Sequence, residues 1–458
     1  MVNFLEASDS GDKSSTEKYL RRTGRWLPYD PEVLEQWLGN TVIQANENPL
    51  GFIPAVQALQ ELIESDTTLF MHVSAMFEQV PQIEPFNRDP LGRPQLRDYN
   101  HMLQVLNLVA RSAPKWDTVV HKIGWVGFPL NAILNWPMST PSGKAFFLNK
   151  EVNAALKSIL DSWAEYLSST ESVNALSTED GWLSPPALAA AMAEANLSGD
   201  RLAFEDVFIC DPRQPYYGFS SWDDFFTRQF RPGLRPIASG DSNQSGLAVS
   251  NRAIANPCES RPYRLSVGVR RRDTFWCKDQ PYSVIDMLAG DTLADAFVGG
   301  TVYQAFLSGL SYHRWHSPVT GTIVKTYIQP ETYYSKAASQ DFGSIHTSLS
   351  PSQGYLAEVA TRAIIFIEAE NPAIGLICVM PVGMAEVSTC EVTVRYRQRI
   401  AIGEQLGLFH YGGSTFCMLF RKETELEWVA EASVSVPQSG APKRRIIPVN
   451  SEIAKLKA

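Results

Sequence analysis

The strongest constraint on the fold is a change of texture near residue 206. Ahead of it, apolar residues recur with a helical period. In "PAVQALQELIES", Pro54 stands at a first turn, and Val56, Leu59, Leu62 and Ile63 follow at i, i+3, i+4 spacing. In "NKEVNAALKSILDSWAEYL", Val152, Leu156, Ile159, Trp163 and Leu167 fall on one face. Behind the change come runs rich in β-branched residues and bounded by Gly, Pro and Asn: "YRLSVGV", "GTIVKTYI", "AIIFIEAE", "IGLICVMPVGMAEVS" and "CEVTVRY". One short helical pattern, "YSVIDMLAG", interrupts them. The pattern predicts an α+β protein: a disordered tail over 1–30, a helical N-terminal region over 31–205, and a β-rich domain over 206–458 packed against it.

Charge and composition exclude several classes of partner. A formal net charge of −9 argues against nucleic acid and against attraction to anionic membrane surfaces. No apolar run approaches the roughly 18–20 residues that span a bilayer, so stable membrane insertion is not expected. The opening "MVNFLEASDSGDKSSTEKYLRR" has no apolar centre and does not read as a secretory signal. Cys210, Cys258, Cys277, Cys378, Cys390 and Cys417 show neither CxxC pairing nor zinc spacing. Reduced thiols in a cytoplasmic protein are the expectation, with the sequons at Asn196 and Asn243 as chance matches.

Three stretches carry residues with chemistry. In "LSYHRWHSPVTGTIVKTYI", His313 and His316 stand three apart. They read as two metal ligands, although no third ligand is marked, as a hydrogen-bonded core pair, or as acid–base groups titrating near neutrality. In "ANPCESRPYRL", Glu259 reads as a surface turn or as the carboxylate that orients a histidine. In "FHYGGSTFCM", Gly412 and Gly413 precede Ser414 on a strand-like stretch. Gly-Gly-Ser alone is ordinary turn material.

A conventional serine hydrolase fits poorly. "YGGSTFC" lacks the second glycine of the nucleophile elbow, and the order Glu259, His316, Ser414 differs from that fold's Ser–acid–His. A different chemistry suits Gly413-Ser414 better. The serine hydroxyl can attack the preceding carbonyl and turn the amide into an ester, helped by the unhindered glycine. A base that takes the hydroxyl proton and then the serine Cα proton allows β-elimination of that ester. The dehydroalanine left on the new N-terminus hydrolyses to a pyruvoyl group and ammonia. Such a ketone condenses with amines and accepts electrons, the work that PLP does elsewhere. A non-catalytic alternative also exists. "SPVTGTIVKTYIQPETY" with "GEQLGLF" is similar to a biotin- or lipoyl-carrier sandwich, but the expected hairpin-tip lysine is missing.

The chain resembles the phosphatidylserine decarboxylases, and the likeness extends beyond "GGST". "DDFFTRQFRPGLRPI", "NPCES…WCKDQPYSVIDMLAG", "YHRWHSPVTGTI", "MPVGMAEVSTCEVTV" and "GEQLGLFHYGGST" follow the order of that family's motifs. The resemblance implies a pyruvoyl-dependent decarboxylase that cuts itself between Gly413 and Ser414, with Ser414 becoming the pyruvoyl. It also implies no PLP, no metal, and β and α chains that stay associated. It casts His316 as the base for self-processing, His313 as the acid–base group of decarboxylation, and Glu259 in place of the family's relay aspartate. Glu259 is one methylene longer than that aspartate, and Ser260 replaces the glycine after it. The "CES" and "GGS" variants and the long helical region are similar to the soluble fungal branch that decarboxylates L-tryptophan to tryptamine. A free aromatic L-amino acid, L-tryptophan first, is therefore the expected substrate, with phosphatidylserine as the alternative. Phe409, Tyr411 and Phe416 are expected to wall the site.

Overall fold

The structure, a computed structural model, describes residues 31–81, 96–117, 124–197, 200–237, 251–273, 281–335, 352–386, 388–433 and 445–457. The tail predicted over 1–30, Cys277 and the Asn243 sequon lie outside them. The other five cysteines form no disulfide. Among the described residues no helix is long and apolar enough to cross a membrane.

Both amphipathic stretches form helices, Pro54–Ser65 and Lys150–Ser168. Their ends follow from local chemistry. Pro54 occupies the first turn, where a missing N–H costs nothing. The Asn149 side chain accepts from the Glu151 and Val152 amides and caps the second helix. Val56, Leu59 and Ile63 on one helix, and Val152, Leu156, Ile159, Trp163 and Leu167 on the other, are buried. "YSVIDMLAG" makes only one turn, Val284–Met287, because Ala289 and Gly290 take positive φ and end it.

The β-rich half is built on an antiparallel sheet of seven strands. Their order is Arg399–Ile400, Gly321–Gln329, Arg362–Ala369, Leu376–Met384, Gly413–Phe420, Thr301–Leu307, Arg261–Val267. Side-chain alternation divides it between two cores. Ile364, Phe366, Cys417 and Leu419 join the helices in one. Ile365, Ile367, Phe416 and Met418 face the other, which is closed by the small sheet Cys390–Val392, Gln405–Phe409, Arg314–His316. Helices are thus segregated to one face, as an α+β architecture requires.

The Gly413–Phe420 strand, which carries the Gly-Ser sequence, lies inside this sheet. It is hydrogen-bonded to Leu376–Met384 on one side and to Thr301–Leu307 on the other. The sequence pattern does not mark the latter strand, because a glutamine interrupts its apolar run. Gln304 is nevertheless satisfied in the core: its amide donates to Thr415 Oγ1 (3.2 Å) and to the Gln353 carbonyl (3.0 Å), and Tyr282 donates to its oxygen (2.5 Å).

Candidate active site

Gly413 opens its strand opposite Met384, and Ser414 follows opposite Leu307 and Gly383. Ser414 is fully buried, and its Oγ has no hydrogen-bond partner among the described residues. A buried hydroxyl left unsatisfied costs about 1–3 kcal/mol, so an idle one is unusual. The turn before it is constrained by its backbone. Gly412 has φ +140°, and a Cβ there would meet the Ser388 nitrogen at 2.9 Å and the Ala385 oxygen at 3.4 Å. The Ala385–Ser388 segment pressing on it holds Ala385, Glu386 and Ser388 at positive φ. Strain of this kind concentrates at functional sites.

The helical region holds the same turn from the other side. Tyr411 donates its hydroxyl to the Gly127 carbonyl (2.8 Å), and its ring meets Trp163, Trp222, Trp125 and Phe226 at centroid distances of 4.6–6.0 Å. His410 bridges Asp223 (2.8 Å) and Glu391 (2.9 Å). Burial works against its charged form, but Asp223 and then Glu391 outweigh it and raise its pKa to about 9.

His313 is fully buried, with its ring stacked on Phe226 at 4.0 Å. Burial, and then the Arg228 guanidinium, push its pKa well below 6.5, so it is neutral at physiological pH. The Arg228 guanidinium donates to the Leu310 carbonyl (2.6 Å) and fixes the loop that carries His313. Ser308, whose backbone also acts on the His313 ring, follows Leu307, the cross-strand partner of Ser414.

His316 is fully engaged. Its Nδ1 donates to the Gly403 carbonyl (2.8 Å), which leaves Nε2 to accept from the Tyr312 hydroxyl (3.0 Å). Burial lowers its pKa. Its backbone N–H donates to the Pro257 carbonyl (2.8 Å), which brings it beside the Glu259 segment. Glu259 itself is buried, not on a surface turn. Its carboxylate accepts from Arg235 (2.6 and 3.0 Å) and from the Val449 amide (2.9 Å). The structure therefore joins the Glu259 and His316 segments through the Pro257 carbonyl without a hydrogen bond between the two side chains, and joins neither histidine to the Ser414 hydroxyl.

Other predicted residues divide. Tyr411 faces the helices, whereas Phe409 packs on Trp315 and Phe416 near Tyr303 in the opposite core, so the three aromatics do not form one wall. Sequence reasoning did not assign Arg235 or Tyr312, although both lie inside the quoted motifs. It also missed a pair from distant parts of the chain, Glu386 and Asn131. Glu386 is fully buried and accepts from the Asn131 amide (3.0 Å) and the Leu130 amide (3.4 Å) at the start of the Pro129–Leu134 helix. Burial raises its carboxyl to about 8, and the two amides oppose that only in part. Among the described residues no three His, Cys, Asp or Glu side chains cluster in a way that could hold a metal ion.

Two family models, both described as phosphatidylserine decarboxylase, match residues 53–191 and 222–439. The L-tryptophan decarboxylase of Psilocybe cubensis is 34% identical over 97% of this chain and 96% of its own. The decarboxylase iboD of Amanita muscaria is 42% identical over 64% of this chain and 84% of its own. The phosphatidylserine decarboxylase proenzyme 3 of Schizosaccharomyces pombe is 26% identical over 48% of this chain and 21% of its own.

Proposed function

Because the chain belongs to the phosphatidylserine decarboxylase family, we propose that it is a self-processing, pyruvoyl-dependent decarboxylase of a free aromatic L-amino acid, with L-tryptophan giving tryptamine and carbon dioxide. The observation that carries this reading is the nearly end-to-end match to a tryptophan decarboxylase, helical region included. The lipid-acting relative named above aligns with only about half of this chain. A free amino acid is met in the aqueous phase, so the reading places the enzyme in the cytoplasm.

The residues support a division of labour. Ser414 is the source of the pyruvoyl group: its hydroxyl is buried and idle, and the residue before it is Gly413, which has no side chain to shield its carbonyl. Self-processing needs a neutral base, and burial disfavours the charged form of both His316 and His313. We assign His316 to the Ser414 proton, Glu259 to supporting that histidine from the segment whose Pro257 carbonyl holds the His316 N–H, and His313 to proton return at the substrate Cα. For His316 to act, the Tyr312 hydroxyl must leave Nε2. A pyruvoyl group at residue 414 supplies a carbonyl that condenses with the substrate amine and draws electrons from the breaking bond to the carboxylate. The apolar surround of Trp125, Trp222, Phe226 and Tyr411 excludes water and favours loss of the charged carboxylate. After the cut, the chain beginning at 414 stays hydrogen-bonded between two strands of the larger chain, and Glu452–Leu456 stays paired with Ala253–Ala255. The two chains thus remain one molecule.

The test is turnover of purified, processed protein with L-tryptophan and with phosphatidylserine vesicles. Tryptamine without phosphatidylethanolamine is expected. Phosphatidylethanolamine without tryptamine overturns the substrate assignment.

A further inference from the structure

The Asn131 side chain is almost wholly buried, yet neither its Oδ1 nor its Nδ2 has a hydrogen-bond partner among the described residues. An amide so placed is expected to be satisfied, and a native exception asks for an explanation, a functional role among them. Its backbone N–H is fixed by Glu386, so the residue is held rather than loose. Glu386 belongs to the Ala385–Ser388 segment that presses on Gly412, two residues before Ser414. On the same side, Gln353 donates to the Met384 sulfur (3.3 Å) and leaves its own Oε1 without a partner. Met384 is the cross-strand partner of Gly413. Asn131 and Gln353, each with an idle polar group, are thus bound to the Glu386 and Met384 segments that flank the turn before Ser414, and Tyr411 of that turn is tied to Gly127, four residues before Asn131.

We propose that Asn131 is a specificity-determining residue whose side-chain oxygen accepts the ring N–H of a heteroaromatic amino acid bound at residue 414. The inference rests on the amino-acid decarboxylase reading and names the substrate feature that this site selects. A carboxamide oxygen suits a neutral N–H donor. Glu386 fits the same preference, since burial keeps its carboxyl uncharged near neutrality and leaves it spare lone pairs beside Asn131. The nearby rings supply apolar contact to the rest of the side chain, which discriminates weakly by itself. A site built to hydrogen-bond a substrate N–H rejects an analogue that lacks it far more strongly than an apolar slot does.

The experiment compares kcat/KM for L-tryptophan with that for 3-benzothienyl-L-alanine, in which sulfur replaces the ring N–H at nearly constant shape. Wild type, Asn131→Leu and Asn131→Asp are measured, each first checked for self-cleavage by mass. Wild type is expected to prefer tryptophan by about 100-fold or more, and Asn131→Leu to bring the ratio below about 10 by losing tryptophan activity alone. Asn131→Asp, which keeps an acceptor, is expected to retain the preference. A wild type that does not discriminate, or an Asn131→Leu enzyme that loses both substrates equally, overturns the inference. If the leucine variant stays uncut, the aspartate variant decides, and loss of preference there overturns it. A processed wild type that turns over no aromatic amino acid instead defeats the decarboxylase reading itself.

Discussion

Gly412→Ala is the most informative single change at the scissile turn. At φ +140° an L side chain is strained whatever space it finds. Such backbone strain costs about 1–3 kcal/mol. The new Cβ would also lie 2.9 Å from the Ser388 nitrogen, a backbone atom that cannot swing aside. Ser388 can retreat only by moving a segment with three residues already at positive φ, docked through Glu386 onto the Pro129–Leu134 helix. Together these terms come to about 2–4 kcal/mol. A typical domain stability of about 5–15 kcal/mol leaves the variant folded. If about 1.4–2.7 kcal/mol of that cost appears as misplacement of the Gly413 carbonyl from Ser414 Oγ, self-cleavage slows by about 10–100-fold. The assay is a chase after cell-free synthesis, with denatured aliquots weighed for cut and uncut chain. Gly233→Ala is the control: its φ is +87°, nothing lies within 4 Å of the added Cβ, and it is expected to cut at the wild-type rate. A Gly412→Ala protein that cuts as fast as wild type with an unchanged unfolding midpoint would refute the reasoning.

Two further perturbations test the surroundings of the turn. His410 is held at about pKa 9 against an ordinary 6.5, a difference worth about 1–3 kcal/mol once partial exposure is allowed for. That stabilisation is complete below pH 6.5 and disappears as pH rises through about 9. Denaturant titrations should show His410→Gln less stable than wild type by about 1–3 kcal/mol at pH 6, and nearly equal to it at pH 10. Tyr312→Phe removes the hydroxyl that occupies His316 Nε2. Self-cleavage followed by mass should be as fast as wild type or faster, and a strong slowing would show that the hydroxyl does more than cap the ring.

Helix positions were legible because a buried stripe at helical spacing leaves a strong local pattern, as at Val56, Leu59 and Ile63. The strand after Gly413 was legible for a similar reason, since "STFCMLF" is apolar on both faces and is buried on both. The motifs also mark Ser414, His313, His316 and Glu259. What occupies each of them was not legible. Arg235 reaches Glu259 across 24 residues, and Asn131 reaches Glu386 across 255, contacts that topology sets and no local period marks. Phe409, Tyr411 and Phe416 look alike in sequence, but only the path of the turn decides that Tyr411 joins the helices and the other two do not.

The central claim is that Ser414 gives up its amine to become the enzyme's own carbonyl. The direct measurement is the denatured intact mass of freshly purified wild type beside Ser414→Ala. The account predicts two wild-type chains, one ending at Gly413 and one beginning with a pyruvoyl group at 414. Their masses should sum to the uncut chain plus one water and less one ammonia, and Ser414→Ala should stay whole. A single uncut chain of 50.9 kDa in both samples, from protein that still releases carbon dioxide from its substrate, would contradict it.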